Sequence, residues 1–344
     1  MYRDFSGDLM SSVARASPFI MRLPKAELHL HLEGSIEPAT LLELKARHGI
    51  RNSVADEEQL YSFGDFAGFL MAFKAVTELL EGPDDYELVT YRLMKGLKKE
   101  NILHAEVYVS VGVCLWRKQN FDLIFEGLER GRERGERDFG VSLLWIFDAV
   151  RHFGAQAAQK VAEVAVRYRD RSVVGFGIGG DERRAAPELF RDVYGFCGEH
   201  GLRLTAHAGE TAGPESIWGA LNLKAERIGH GLTAGQDAEL VEELSRRQVP
   251  IEICLTSNLR TGCCRTTADH PVRRYFDHGL MVTLNSDDPA MFRTSLSHEY
   301  ALAQAEFGFT DEHLRELARN SLEASFLPPE KKLRLLNLFD AASA

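Results

Sequence analysis

Eight short apolar runs, each trailed by a helical pattern, constrain this chain more than any other feature. The runs are Ala26–His31, Ala105–Val111, Val141–Phe147, Val173–Ile178, Arg203–His207, Arg227–His230, Pro250–Cys254 and Met281–Asn285. Several are apolar throughout rather than alternating, as strands buried on both faces of a parallel sheet require. Between them the spacing predicts helices over Pro38–Arg47, Asp84–Glu100, Asp122–Arg134, Ala155–Tyr168, Pro187–His200, Glu215–Leu221, Asp237–Arg246 and Pro271–His278. Pro38, Pro187 and Pro271 stand near helix starts, where a missing N–H costs nothing. Eight strand–helix units predict an α/β chain folded as a (β/α)8 TIM barrel. An open doubly wound sheet is the alternative, but no G-x-G-x-x-G follows the first strand.

The chain has 344 residues, enough for one such barrel with additions. One addition lies between the first two strands, where Phe63, Phe66, Phe69, Leu70 and Phe73 recur at helical spacing. Such a stripe either packs into a core or forms an apolar lid over the barrel mouth. Helical patterns also follow the last strand, over Ser295–Phe307, Asp311–Phe326 and Pro329–Ala342. Residues 1–20 mix charges and serines and are expected to form a flexible leader or a short helix. Residues 21–344 contain no linker and are expected to form a single domain.

The formal charge is −10, which disfavours a nucleic-acid partner but leaves room for one nucleotide in a pocket. No apolar run approaches the ~18 residues that span a bilayer, so no membrane partner is expected. Five cysteines without a C-x-x-C framework fit a reducing cytoplasm. Cys263-Cys264 are expected to be free thiols in a loop, and His104-Ala-Glu106 belongs to the second strand, because the P-C-x-x-C of small zinc deaminases is missing.

In a barrel of this kind chemistry gathers at the C-terminal ends of the strands. The first strand ends in His29-Leu30-His31, whose period of two puts both imidazoles on one face, half of a zinc or iron site. The fifth ends in His207-Ala-Gly-Glu210, a third nitrogen donor followed by a carboxylate suited to proton transfer. The sixth ends in Gly229-His230-Gly231, whose glycines permit a tight turn beside the imidazole. The eighth ends in Asn285-Ser286-Asp287-Asp288-Pro289, two carboxylates that repel unless a cation or a donor is present. Each group alone also has a bland reading, as a core histidine, a solvated acid or a helix cap. Their joint appearance at four strand ends predicts a metal centre with an acid beside it.

These motifs, with Gly179-Gly180-Asp181-Glu182 and Arg227-Ile228-Gly229-His230-Gly231, resemble in order those of the adenosine deaminase family, metal-dependent barrels of the amidohydrolase superfamily. The resemblance runs from about Leu23 to the last helices. It implies one zinc ion, with ferrous or manganous ion as alternatives, held by His29, His31, His207 and Asp287. It implies that Glu210 protonates ring N1 of a 6-aminopurine, that His230 orients the attacking water, and that Asp288 meets N7 and the Gly180 N–H meets N3. The fourth strand ends without a lysine, so a second metal is not expected.

The family's usual Asp-Leu-Ala-Gly-Asp-Glu here begins with Gly177, and the Asp-Ser-x-Glu of adenine deaminases is absent. The stretches Phe176–Glu182, Ser110–Arg117 and Ile146–Arg151 are more similar to bacterial aminodeoxyfutalosine deaminases of the futalosine route to menaquinone. That resemblance implies a nucleoside with a carboxyphenyl group in place of the 5′-hydroxyl. Adenosine is the alternative substrate, and a non-catalytic ligand-binding barrel the remote one. On this reading Glu33 binds a sugar hydroxyl, Phe66 and Phe69 line the mouth, and Arg117, Arg151 or Arg260 receives the carboxylate, since a guanidinium grips it with two prongs. The oligomeric state is left open.

Overall fold

The computed structural model describes residues 15–50 and 58–343; most of the expected leader lies outside these. Residues Pro18–Arg22 form one helical turn whose Ile20 is buried. The strands are β1 (Lys25–His31), β2 (Ile102–Val109), β3 (Ser142–Val150), β4 (Val173–Gly179), β5 (Arg203–Ala208), β6 (Arg227–His230), β7 (Ile251–Ile253) and β8 (Val282–Leu284). They pair in sequence order, and every pairing is parallel. The seam between β8 and β1 closes at the site end. His31 N donates to Asp287 O (2.8 Å), Asp287 N donates to His29 O (3.0 Å), and Leu30 bridges Asp287. The Asn285 amide oxygen accepts from the backbone N–H groups of Leu28 (2.9 Å) and His29 (3.1 Å), substituting for missing ladder bonds.

The helices expected between strands are all present, with ends shifted by a few residues. Pro187–His200 divides into a short 3-10 turn at Pro187–Phe190 and an α-helix at Arg191–Glu199. The insertion after β1 carries the helix Phe66–Thr77, started by the Asp65 carboxylate accepting from Gly68 N (2.7 Å). After β8 come Leu296–Phe307, Asp311–Glu323 and Pro329–Ser343. The Asp311–Glu323 helix lies across β8 and β1, and the Ser321 hydroxyl accepts from Ala26 N (2.9 Å) at the bottom of the barrel. No helix among the described residues is long and apolar enough to cross a membrane.

The barrel interior contains charge as well as hydrocarbon. Arg227 is buried against Glu106 and Glu252 (2.6 Å to the latter), and its guanidinium stacks on Phe326, 3.7 Å from the ring centre. A buried charge is tolerable only when paired in this way. The network runs up the barrel axis and ends at the site, because the other oxygen of Glu252 accepts from His29 Nδ1 at 2.8 Å.

Candidate active site

Four side chains from three parts of the chain converge at the C-terminal end of the barrel. His29 Nε2 and His31 Nε2 lie 3.4 and 3.3 Å from Asp287 Oδ1. His31 Nε2 is 3.2 Å from His207 Nε2. A tetrahedral ion with bonds of about 2.0–2.1 Å has edges of about 3.3 Å, so these spacings are those of a ligand set around a common centre. The ring tautomers agree. His29 Nδ1–H donates to Glu252 and His207 Nδ1–H donates to Ile178 O (3.1 Å), leaving both Nε2 lone pairs facing the centre. The Ser257 hydroxyl donates to Asp287 Oδ2 (2.6 Å) and leaves Oδ1 free. His29 Nε2 is buried with no hydrogen-bond partner, as a ligand atom without its ion would be. Asp287 has a φ of 62° and His230 one of 63°, strained backbone for side-chain-bearing residues.

The electrostatics separate the groups. Burial holds the His31 ring down to about 4 and His207 well below the usual histidine value, so both stay neutral. Burial opposes charge on His29 as well, but Asp287 and Glu252 outweigh it and raise His29 to about 10, so that its Nε2 presents a proton to Asp287 which a cation bound there would displace. Asp287 is held well below the carboxylate range: its burial is outweighed by His29 and the neighbouring imidazoles. Its neighbour Asp288 is pushed well above that range by burial and by Asp287.

Glu210 and His230 stand next to this cluster, His230 Nε2 lying 3.8 Å from Glu210 Oε2. Burial, then Asp287 and Glu182, push the Glu210 carboxyl well above its ordinary value and so favour its protonated form. Burial holds His230 down to about 3. Asn258 Nδ2 donates to His230 Nδ1 (3.0 Å), which places the imidazole proton on Nε2, toward the site. Glu182, buried, accepts from the backbone N–H groups of Gly209 (2.9 Å), Glu210 (2.8 Å) and Thr211 (3.2 Å) and from the Ser216 hydroxyl (2.6 Å). It therefore fixes the loop that carries Glu210.

Glycines make room for these groups. A Cβ on Gly34 would lie 1.8 Å from Asp288 Oδ1, and one on Gly229 would lie 2.7 Å from His29 Cε1. The sequence offers Gly229 for a tight turn beside His230; the side chain it makes room for is His29.

A cavity of about 420 Å³ opens over the cluster and is lined by His31, His207, Glu210, His230, Asp287 and Asp288 at its polar end. Gly180, with a φ of 89°, is on its wall. Phe66, Phe69, Leu70 and Phe73 of the insertion helix face into it, and Phe69 stacks on Phe292 at 4.9 Å. Phe63 instead packs behind, against Phe69 and Phe292. At the outer end Trp116 stacks on Phe153 (5.8 Å) and is 61% exposed. Lys74 and Arg184 border the same end.

The expected arginines are otherwise engaged. Arg151 is buried and donates to the carbonyls of His207 and Ala185, outside the cavity lining, so it is a strut beneath the site rather than a receptor for a carboxylate. Arg260 donates to Phe292 O (2.9 Å). Arg117 lines the cavity, but its guanidinium bonds Thr77 O, Thr77 Oγ1 (3.1 Å) and Lys74 O (3.4 Å) and caps the end of the insertion helix. Arg184, which the sequence did not single out, has no ion pair or side-chain hydrogen bond among the described residues. Glu33 stands behind Ser110, whose N–H it accepts (2.9 Å), and burial pushes its carboxyl to about 7.

A family model described as adenosine deaminase matches residues 24–342. The chain is 38% identical over 332 residues to an aminodeoxyfutalosine deaminase of Streptomyces coelicolor, covering 95% of this chain and 86% of that one. Among solved structures it is similar to an adenine deaminase from Arthrobacter aurescens (TM-score 0.88, 30% identity, 93% of this chain and 98% of that one). It is also similar to an amidohydrolase from Burkhoderia ambifaria with bound zinc (TM-score 0.88, 26% identity, 98% of this chain and 96% of that one).

Proposed function

The chain belongs to the adenosine deaminase family, and from that premise we propose that it hydrolyses the 6-amino group of a purine nucleoside, with aminodeoxyfutalosine as its preferred substrate. One observation carries the substrate choice. The cavity does not end at the polar cluster but continues to an aromatic pair, Trp116 and Phe153, and to Arg184, a guanidinium without a side-chain partner among the described residues. A bare purine leaves that end empty. A nucleoside carrying an aryl carboxylate fills it, ring against Trp116 and carboxylate against Arg184, by the two-pronged pairing that guanidinium favours.

His29, His31, His207 and Asp287 would hold a divalent ion, zinc by its preference for three imidazoles and a carboxylate; His230 also reaches His29, His207 and Asp287, from the side where the attacking oxygen would stand. Such an ion supplies hydroxide at neutral pH by lowering the pKa of water to about 7. The remaining chemistry falls to the chain. Glu210, protonated by virtue of its burial, donates to ring N1 and makes C6 electron-poor. His230, with its proton on Nε2, directs the incoming oxygen to C6 and steadies the charge that develops there. Asp288 faces N7 and the Gly180 N–H faces N3, fixing the purine plane. A C–O bond forms at C6, the added oxygen's proton passes to the amino nitrogen, the C–N bond breaks, and ammonia departs to leave a 6-oxopurine. The motif similarity, the 38% identical relative and the placement of these groups around one cavity support this reading.

Adenine is the second reading, because an adenine deaminase is among the similar structures. The test compares kcat/KM for aminodeoxyfutalosine, adenosine and adenine by the ultraviolet change on deamination, in the parent and in Arg184→Gln. The parent is expected to prefer aminodeoxyfutalosine, and Arg184→Gln to raise KM about tenfold for that substrate alone, the loss of one charge-assisted pair. A parent that prefers adenine or adenosine overturns the assignment.

A further inference from the structure

Asp148 is a buried acid of the cavity wall to which the chemistry above gives no role. It lies on β3, only 7% exposed, and borders the cavity. Its carboxylate makes no ion pair, and Oδ1 is buried without a hydrogen-bond partner. Burial raises its carboxyl to about 8, so a carboxyl placed this way keeps its proton unless a cation nearby holds it ionised.

The neighbouring strand is cut away to accommodate it. Asp148 pairs in register with Gly177 of β4. A Cβ on Gly177 would come within 3.0 Å of Asp148 Oδ1, and a Cβ on Gly179 within 2.9 Å of Oδ2. The two glycines, on one face of β4, form a cradle with one carboxylate oxygen over each. The point above Gly179 that meets Oδ2 also lies 3.3 Å from His207 Cε1. The carboxylate thus stands beside the ring that presents Nε2 to the ligand cluster.

Charge counting says what the acid is for. Three neutral imidazoles and one carboxylate around a dication leave a net charge of about +1 in a low-dielectric pocket. Glu210 is protonated, and Glu252 is spent on Arg227. We propose that Asp148 is a positioning residue for the ion: an outer carboxylate, seated in the Gly177–Gly179 cradle on the His207 side of the cluster, that balances the dication's charge. This rests on the metal-centre reading of the site but not on the choice of substrate.

The test uses Asp148→Asn, which keeps the shape and removes the charge. Thermal unfolding is measured for ion-free and zinc-loaded protein, together with the rate of zinc loss to a chelator. Asp148→Asn is expected to release zinc about tenfold faster, within the range seen for outer partners of metal ligands. Its ion-free form is expected to unfold at about the same temperature as the parent's, since the replacement gives up no hydrogen bond or ion pair, while the stabilisation conferred by zinc shrinks. An unchanged zinc stabilisation and release rate overturn the proposal. So does equal destabilisation of the ion-free and loaded forms, the mark of a merely structural side chain. If the parent itself binds no zinc, the metal-centre reading fails instead, and that result is read from the parent alone.

Discussion

Glu182→Ala removes the one side chain that holds the Glu210 loop at four points. Three of the donors, the N–H groups of Gly209 and Glu210 and the Ser216 hydroxyl, are buried; the hydroxyl can rotate, whereas the two N–H groups are fixed, and Thr211 is half-buried. Hydrogen bonds to a charged acceptor are worth about 1.5–3 kcal/mol each, so two orphaned donors predict a loss of roughly 4 kcal/mol in unfolding free energy. Glu182→Gln keeps one acceptor oxygen and sets an amide N–H against Gly209, for about half that loss, roughly 2 kcal/mol. The kinetic consequence comes through position. A displacement of about 1 Å in a catalytic group can cost on the order of 100-fold, and the loop carries Glu210 without touching the purine. Turnover by Glu182→Ala should therefore fall by about that factor with KM nearly unchanged. Urea unfolding and steady-state kinetics on zinc-loaded protein measure both. A variant that unfolds at the parent's midpoint and turns over within twofold of it would refute the argument that Glu182 positions the acid.

Two further outcomes follow from the buried charges. Glu210→Gln should fold and retain zinc, because Glu210 is outside the ligand set, yet lose about 10²–10⁴ in kcat as a missing proton donor does; zinc content by mass spectrometry beside the deamination rate checks this. Glu106 is desolvated, but Arg227 and His104 outweigh that and lower it from 4.5 to about 2. A carboxyl whose folded value lies below its unfolded one stabilises above the unfolded value and loses that contribution as pH falls. The contribution is roughly 3 kcal/mol near neutrality, and about 2 kcal/mol of it is gone by pH 3. The stability gap between the parent and Glu106→Gln should narrow accordingly between pH 5 and pH 3; a gap that is flat over this interval would show that the pair does not shift Glu106.

The strand order and the polar strand ends were legible because they rest on local pattern. A strand buried on both faces reads as an apolar run, and a histidine or aspartate at its end stands out against it. β6 matches its expected limits, and β1 differs by one residue. The supports of the site were harder to see. Glu252 lies inside Ile251–Ile253 and Glu106 inside an equally apolar strand; each was visible as a charge where none is expected, but its partner, Arg227, is distant in sequence and is settled only by closure of the barrel. The arginines show the limit most plainly. Arg151 and Arg184 are both polar residues after barrel strands, yet one is drawn under the site by two backbone carbonyls and the other is left at the mouth. That difference is decided by which carbonyls lack partners, and a one-dimensional pattern does not carry it. Asp148 was masked by its surroundings, since its meaning depends on the two glycines across the strand pair.

The claim on which the rest depends is that His29, His31, His207 and Asp287 grip one divalent ion that the reaction needs. The direct measurement is deamination by the purified protein after exhaustive chelation, followed by return of zinc to one equivalent. Activity should vanish with the ion and come back in proportion to the zinc added, reaching its limit at one per chain. Deamination that continues undiminished in protein shown to be metal-free would contradict the account.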